Sequence, residues 1–194
     1  MFTPTELALE RGWPGRIEGD SVIQVAAQSL EAFFTGGGKA RAHNVYPLTD
    51  VALRAPVLRP PSIRFFEDEQ TFWFGNTASI YGPEDEVPAP APVESRFCVA
   101  AVVGAGERIA GYTLANDWRA PSLVTPKDRD FATSLGPWIE TDHVPDFDFE
   151  RVREVAAQNT RLRSGDLLVA PPFAVGADEA TVPGLGTLVS RSAG

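Results

Sequence analysis

Apolar residues along this chain gather in short runs broken by Pro, Gly and Asp, a spacing that predicts strands more often than helices. The predicted strands are Ser62–Phe66, Thr71–Phe74, Arg96–Val103, Arg108–Leu114 and Leu167–Ala170. Gly104-Ala105-Gly106 falls between two of them and reads as a hairpin turn; no helix follows it, so it is not a phosphate loop. Nearer the start, Gly15–Ile23 reads as a hairpin around Gly19-Asp20, and Ala27–Phe34 as a short helix stopped by Gly36-Gly37-Gly38. Leu53–Val57 is predicted extended because Pro56 restricts the residue before it. The clearest helix is Phe149–Asn159, with Asp148 as cap and Val152, Val155 and Ala156 on one apolar face. Glu84–Pro92, acidic and proline-rich, is predicted to be an extended, exposed connector. Many short strands and few helices define a β-rich α+β fold, a mixed β-sandwich or roll. Residues 1–55 are expected to form a small N-terminal lobe and 56–194 the main domain.

Composition narrows the function classes. The chain has 194 residues, 43% of them hydrophobic and 22% charged, which suits one globular core. Its 17 basic and 26 acidic side chains leave a net charge of −9, which argues against nucleic acid as a partner. A small anionic substrate remains open, because one local positive site suffices for it. A single cysteine allows no intramolecular disulfide. The first residues carry charges where a signal peptide needs an apolar run, and no apolar stretch has membrane-spanning length, so a cytoplasmic location and no membrane partner are expected. Lysine is scarce: Lys39 and Lys127 are the only two. His43 and His143 sit in polar segments without metal-ligand spacing.

Several motifs occur in a telling order. Leu53–Arg64 is followed by the aromatic Phe72–Gly75 and the turn Ser79-Ile80-Tyr81-Gly82-Pro83. Then come Ala100–Gly104, Gly111–Asp117, Lys127–Trp138 and Arg163–Asp166. This series resembles the fumarylacetoacetate hydrolase family over nearly the whole chain. The resemblance implies that family's β-rich fold, a homodimer and divalent-metal chemistry on small oxo acids.

Where the family carries two metal glutamates, counting back from Gly104, this chain has Arg96 and Cys98. Asp117 keeps the family's third carboxylate and Lys127 its active-site lysine, while Arg119-Ala120-Pro121-Ser122 departs from the family's Ser-Ala-Arg-Asp run. The family's lid, with its His/Glu pair, is expected to be deleted, since Phe66–Gln70 runs almost directly into Thr71-Phe72. The Gly-Thr that follows the family's Gly-Asp strand is replaced near Pro171-Pro172.

The expected catalytic set is therefore Lys127, Asp117 and Arg96, with Arg96, Lys127 and Cys98 as substrate-binding residues. No cofactor is expected, and divalent-metal binding is expected to be weak or lost, because a hard cation needs several oxygen ligands. A guanidinium at the old metal position can pair with Asp117 and hold a carboxylate, or it can form a plain structural salt bridge. Cys98 is either a thiol made acidic by Arg96 or a small buried core residue; no histidine stands near it in sequence as a base. Lys127 is either an active-site cation or a surface residue of Pro126-Lys127-Asp128-Arg129-Asp130. Two functions remain open. One is metal-independent chemistry on a small oxo or β-dicarbonyl acid: C–C hydrolysis, decarboxylation, hydration or tautomerisation. The other is a non-catalytic relative acting as a structural, regulatory or ligand-binding partner.

Overall fold

The structure is a computed structural model that describes residues 1–7, 9, 12–89, 92–143 and 145–193. The opening segment forms β1 (Phe2–Pro4), β2 (Gly15–Glu18), β3 (Ser21–Val25), α1 (Leu30–Thr35), β4 (Ala42–Pro47) and β5 (Val51–Leu53). β2 and β3 make the expected hairpin, with Gly19 at φ 55° in the turn. α1 begins at Leu30 rather than Ala27 because the Ser29 side chain caps it, accepting from the Ala32 N–H at 3.1 Å. β4 joins β3, and β1 pairs with β5.

The remaining strands are β6 (Ile63–Phe66), β7 (Phe72–Phe74), β8 (Ile80–Tyr81), β9 (Val87–Pro88), β10 (Arg96–Val103), β11 (Ile109–Asp117) and β12 (Thr133–Glu140). After helix α2 (Phe149–Ala157) come β13 (Leu167–Val169), β14 (Ala174–Val175), β15 (Glu179–Val182), β16 (Gly186–Val189) and β17 (Ser192–Ala193). A mixed eight-stranded sheet runs in the order β7-β6-β13-β10-β11-β12-β8, with β14 also pairing to β10. β10 and β11 are its antiparallel centre, and β13–β6 and β12–β8 are parallel pairs.

Both faces of this sheet are covered, which explains the unbroken apolar run of β10. Cys98, Ala100 and Val102 point to one side, among Ile63, Phe65, Ala115 and Leu135. Ala101 and Val103 point to the other, against Phe149, Val152 and Ala156 of α2. Farther along that second side, Phe97 and Leu114 pack on Leu185 and Leu188 of the β15–β16 hairpin. Asp148 caps α2 as expected, accepting from the Arg151 N–H at 2.9 Å.

Two connections bear on the site. β6 passes to β7 through a tight turn at Glu67–Gln70: the Glu67 N–H donates to the Thr71 carbonyl, and Asp68 Oδ1 accepts from the Gln70 and Thr71 N–H groups, both at 2.7 Å. Those two donors hold the exposed Asp68 carboxyl below its ordinary range. The Glu84–Pro92 connector, by contrast, is not simply exposed. Its β9 pairs in parallel with β17, and Val87 is fully buried with Trp118 and Ala132, because an apolar side chain within the acidic run finds a pocket there. Pro90 and Ala91 of that connector lie outside the described residues. Among the described residues no helix is long and apolar enough to cross a membrane.

Candidate active site

The start of β10 and the end of β11 lie side by side, with Phe97 opposite Asn116. One step beyond, Glu94 and Arg119 form an isolated bridge through two backbone hydrogen bonds, Glu94 N–H to Arg119 O at 2.8 Å and Arg119 N–H to Glu94 O at 2.9 Å. Asn116 Oδ1 accepts from the Arg96 N–H at 2.8 Å and fixes the start of β10. Alternation along each strand then sends Arg96 and Cys98, and across from them Asp117 and Arg119, to a common side.

Asp117 is the centre of this group, with its side chain 5% exposed. Arg119 donates to its Oδ2 through both Nε (2.9 Å) and Nη2 (2.7 Å). Arg96 Nε lies 3.9 Å from the same oxygen, too far for a hydrogen bond but close enough for an ion pair. Since all three nitrogens face Oδ2, Asp117 Oδ1 is left buried without a donor, and Arg96 Nε is also without a hydrogen-bond acceptor. Burial pushes the Asp117 carboxyl up to about 6, against the opposing pull of Arg119 and then Arg96.

The outer members extend this core. Arg96 also pairs with Glu94 at 3.5 Å and is 32% exposed, so it stands between Asp117 and solvent. The Arg119 guanidinium lies over the Trp73 ring at 4.6 Å, and that of Arg129 at 5.1 Å. Trp73 in turn stacks on Phe65 with centroids 4.3 Å apart. Asp128 binds Arg129 at 3.1 Å and approaches Arg119 at 4.0 Å. The β6–β7 hairpin thus supplies an aromatic platform for two arginines.

The sequence-derived candidates separate here. Arg96 and Asp117 come together as expected. Cys98 lies next to them on β10 but is 1% exposed and packed in the apolar core. Burial, seconded by the Asp117 charge, pushes its thiol far above the ordinary range, against the weaker pull of Arg96 and Arg119. That placement removes it from contact with a ligand. Lys127 is not drawn into the group: its side chain is 74% exposed and pairs with Asp130 at 2.8 Å. The loop reverses on itself through the Ala120 N–H to Asp128 O bond, so Asp128 and Arg129 face Arg119 while Lys127 turns outward. Arg119 is the residue that sequence reasoning misses, although its spacing of two from Asp117 is the available signal: strand alternation puts both on one side.

Arg96, Cys98 and Asp117 together offer a guanidinium, a buried thiol and one carboxylate already engaged by Arg119. A hard divalent cation takes several oxygen ligands, so this set does not fit one. Among the described residues no three His, Cys, Asp or Glu side chains are grouped to hold a metal. A cavity of about 900 Å³ opens elsewhere, and neither Arg96, Cys98, Asp117 nor Lys127 lines it.

This curled, strand-rich mixed sheet is a fold shared with several solved enzymes. Maleylpyruvate hydrolase from Sphingobium sp. SYK-6 superposes with a TM-score of 0.75 at 18% identity, over 94% of this chain and 96% of that one. The same hydrolase has been solved in complex with manganese(II) ion and pyruvate. 5-Carboxymethyl-2-hydroxymuconate delta-isomerase from Mycobacterium smegmatis gives 0.73 at 22% identity, over 93% of each chain. 2-Hydroxyhepta-2,4-diene-1,7-dioate isomerase from Mycobacterium marinum gives 0.74 at 22%, over 93% of this chain and 92% of that one. By sequence alone, no family model and no curated protein matches the chain.

Proposed function

We propose that this protein is an enzyme acting on a small oxo or β-dicarbonyl acid, with Arg96 and Arg119 supplying the positive charge that a divalent metal supplies in the family it resembles. The observation that carries the reading is the buried Asp117 carboxylate held by Arg119 at 2.7 and 2.9 Å with Arg96 at its solvent side. The choice of substrate class draws on the neighbouring folds, whose enzymes act on small oxo acids.

In this reading Arg96, the more exposed guanidinium, receives the substrate carboxylate. Arg119 is locked between Asp117 and Trp73, so it costs little reorganisation when negative charge develops on an enolate oxygen. Asp117 is the group in the cluster that can carry a proton near neutrality. C–C hydrolysis, decarboxylation, hydration and tautomerisation all pass through enolate-like charge, so the cluster serves any of the four. Lys127, outside the cluster, is given no step.

A thermal-shift screen with oxalate, pyruvate and β-diketo acids, with and without magnesium, tests this. A ligand at a hundred times its Kd stabilises the fold by about 2.7 kcal/mol. The expected result is protection by an oxo acid without metal, lost in Arg96→Ala. Absence of protection by every acid would favour the non-catalytic reading, with Asp117–Arg119 as a structural bridge.

A further inference from the structure

The cavity of about 900 Å³ lies at the opposite end of β10 and β11 from Asp117. Gly104 and Ile109, at the turn between the two strands, belong to its wall. Arg96 starts β10 and Asp117 ends β11, so the length of an eight-residue strand, roughly 25 Å, separates the two places. The volume falls in the range of small-molecule sites.

Its floor is apolar and comes from both parts of the chain. Leu30, Phe33 and Phe34 of α1 line it together with Ile109, Trp138 and Ile139 of the main sheet. The Trp138 indole N–H is already satisfied by the Gly184 carbonyl at 3.1 Å, so the ring has no polar atom left to pair within the cavity. The rim carries Arg16, Glu18, Arg108, Glu140 and Asp142. Arg16 and Glu18 cancel each other, whereas Glu140 and Asp142 are hydrogen-bonded to uncharged groups and keep their negative charge. Arg16 pairs with Glu18 at 2.7 Å, and Glu140 accepts from the Thr141 and Asp142 N–H groups at 2.8 and 3.0 Å. Asp142 has the Thr141 hydroxyl at 3.5 Å. Among the described residues Arg108, which lines the cavity from the exposed turn between β10 and β11, has no ion-pair partner.

We infer that this cavity is a second small-molecule site, for an amphipathic monocarboxylate whose apolar tail lies on Phe34, Ile109 and Trp138 and whose carboxylate pairs with Arg108. The apolar floor sets the tail and the unpaired guanidinium sets the head. The site is separate from the Asp117 cluster and does not depend on what that cluster does.

The test is a titration of the full-length protein with decanoate, followed by nuclear magnetic resonance at the Trp138 indole N–H and by calorimetry. One decanoate should bind per chain and move the Trp138 signal. Arg108→Ala should weaken binding about tenfold, the effect of losing one charge-assisted contact. Phe34→Glu, at a half-buried helix position that tolerates a charge, should abolish it. Arg96→Ala should leave decanoate affinity unchanged. The well-dispersed spectrum of each variant reports that it is folded. If decanol binds as tightly as decanoate, or Arg108→Ala binds as tightly as wild type, the carboxylate assignment is overturned. If the Trp138 signal stays put at saturating decanoate, or Arg96→Ala alone loses binding, the second site is overturned.

Discussion

Replacing Asp117 by asparagine changes how stability depends on pH, and the sign of the change separates two competing effects. Burial disfavours the charged carboxylate, whereas Arg119 and Arg96 favour it. The balance places the folded-state value above the unfolded one, moving it from 3.8 to about 6. A group raised in this way adds stability that is fully present below the unfolded value and is lost as pH rises through the folded value. The displacement is worth about 3 kcal/mol, at about 1.4 kcal/mol per pH unit. The asparagine side chain keeps the shape, and an oxygen that can accept from Arg119, but it cannot ionise. Wild type should therefore lose about 3 kcal/mol relative to Asp117→Asn between about pH 4 and about pH 7. Urea unfolding of both proteins at a series of pH values, taken as a difference at each pH, measures this directly. A flat difference would mean that the guanidinium pair cancels burial. A wild type that gains on the variant as pH rises would mean that the ion pair outweighs burial, and the proton-carrying role given to Asp117 would then fail.

Cys98 should resist a thiol reagent in the native protein and react in denaturant, because it is buried and its thiol is pushed up; stoichiometric labelling of the folded chain would contradict its placement. Lys127→Ala should change stability by less than about 0.5 kcal/mol and leave oxo-acid binding intact, as suits an exposed ion pair, while Arg119→Ala should abolish that binding; the reverse pattern in a binding assay would return Lys127 to the site. Phe97→Ala should cost about 3–5 kcal/mol in urea unfolding, since a fully buried ring between β10 and the β15–β16 hairpin leaves a cavity.

Elements whose own residues state their environment are legible in the sequence. β10 is readable to its residue bounds because both of its faces are buried and every position from Phe97 to Val103 is apolar. α2 is legible because Asp148 caps it and one apolar face repeats along it. β12 escapes a reading as a strand because Gly136-Pro137 interrupts its pattern, and its register against β11 slips between Tyr112 and Leu114. β4 escapes because it is almost wholly exposed and has no alternation to read. β11 runs on through polar Asn116-Asp117, beyond the apolar run that ends near Leu114, because β10 and β12 continue beside it. In the site, the neighbourhood of Arg96 and Asp117 follows from matched strands. The choice of Arg119 over Lys127 depends on how the loop between β11 and β12 folds back, which the pattern of its residues does not reveal.

In the proposed reading, guanidinium groups stand in for a metal at Asp117. Calorimetric titration of pyruvate into wild type, once with excess EDTA and once with excess magnesium, tests it most directly. The affinity should be the same in both, and Arg96→Ala should lose binding under both. Binding that appears only with magnesium and vanishes with EDTA would contradict it.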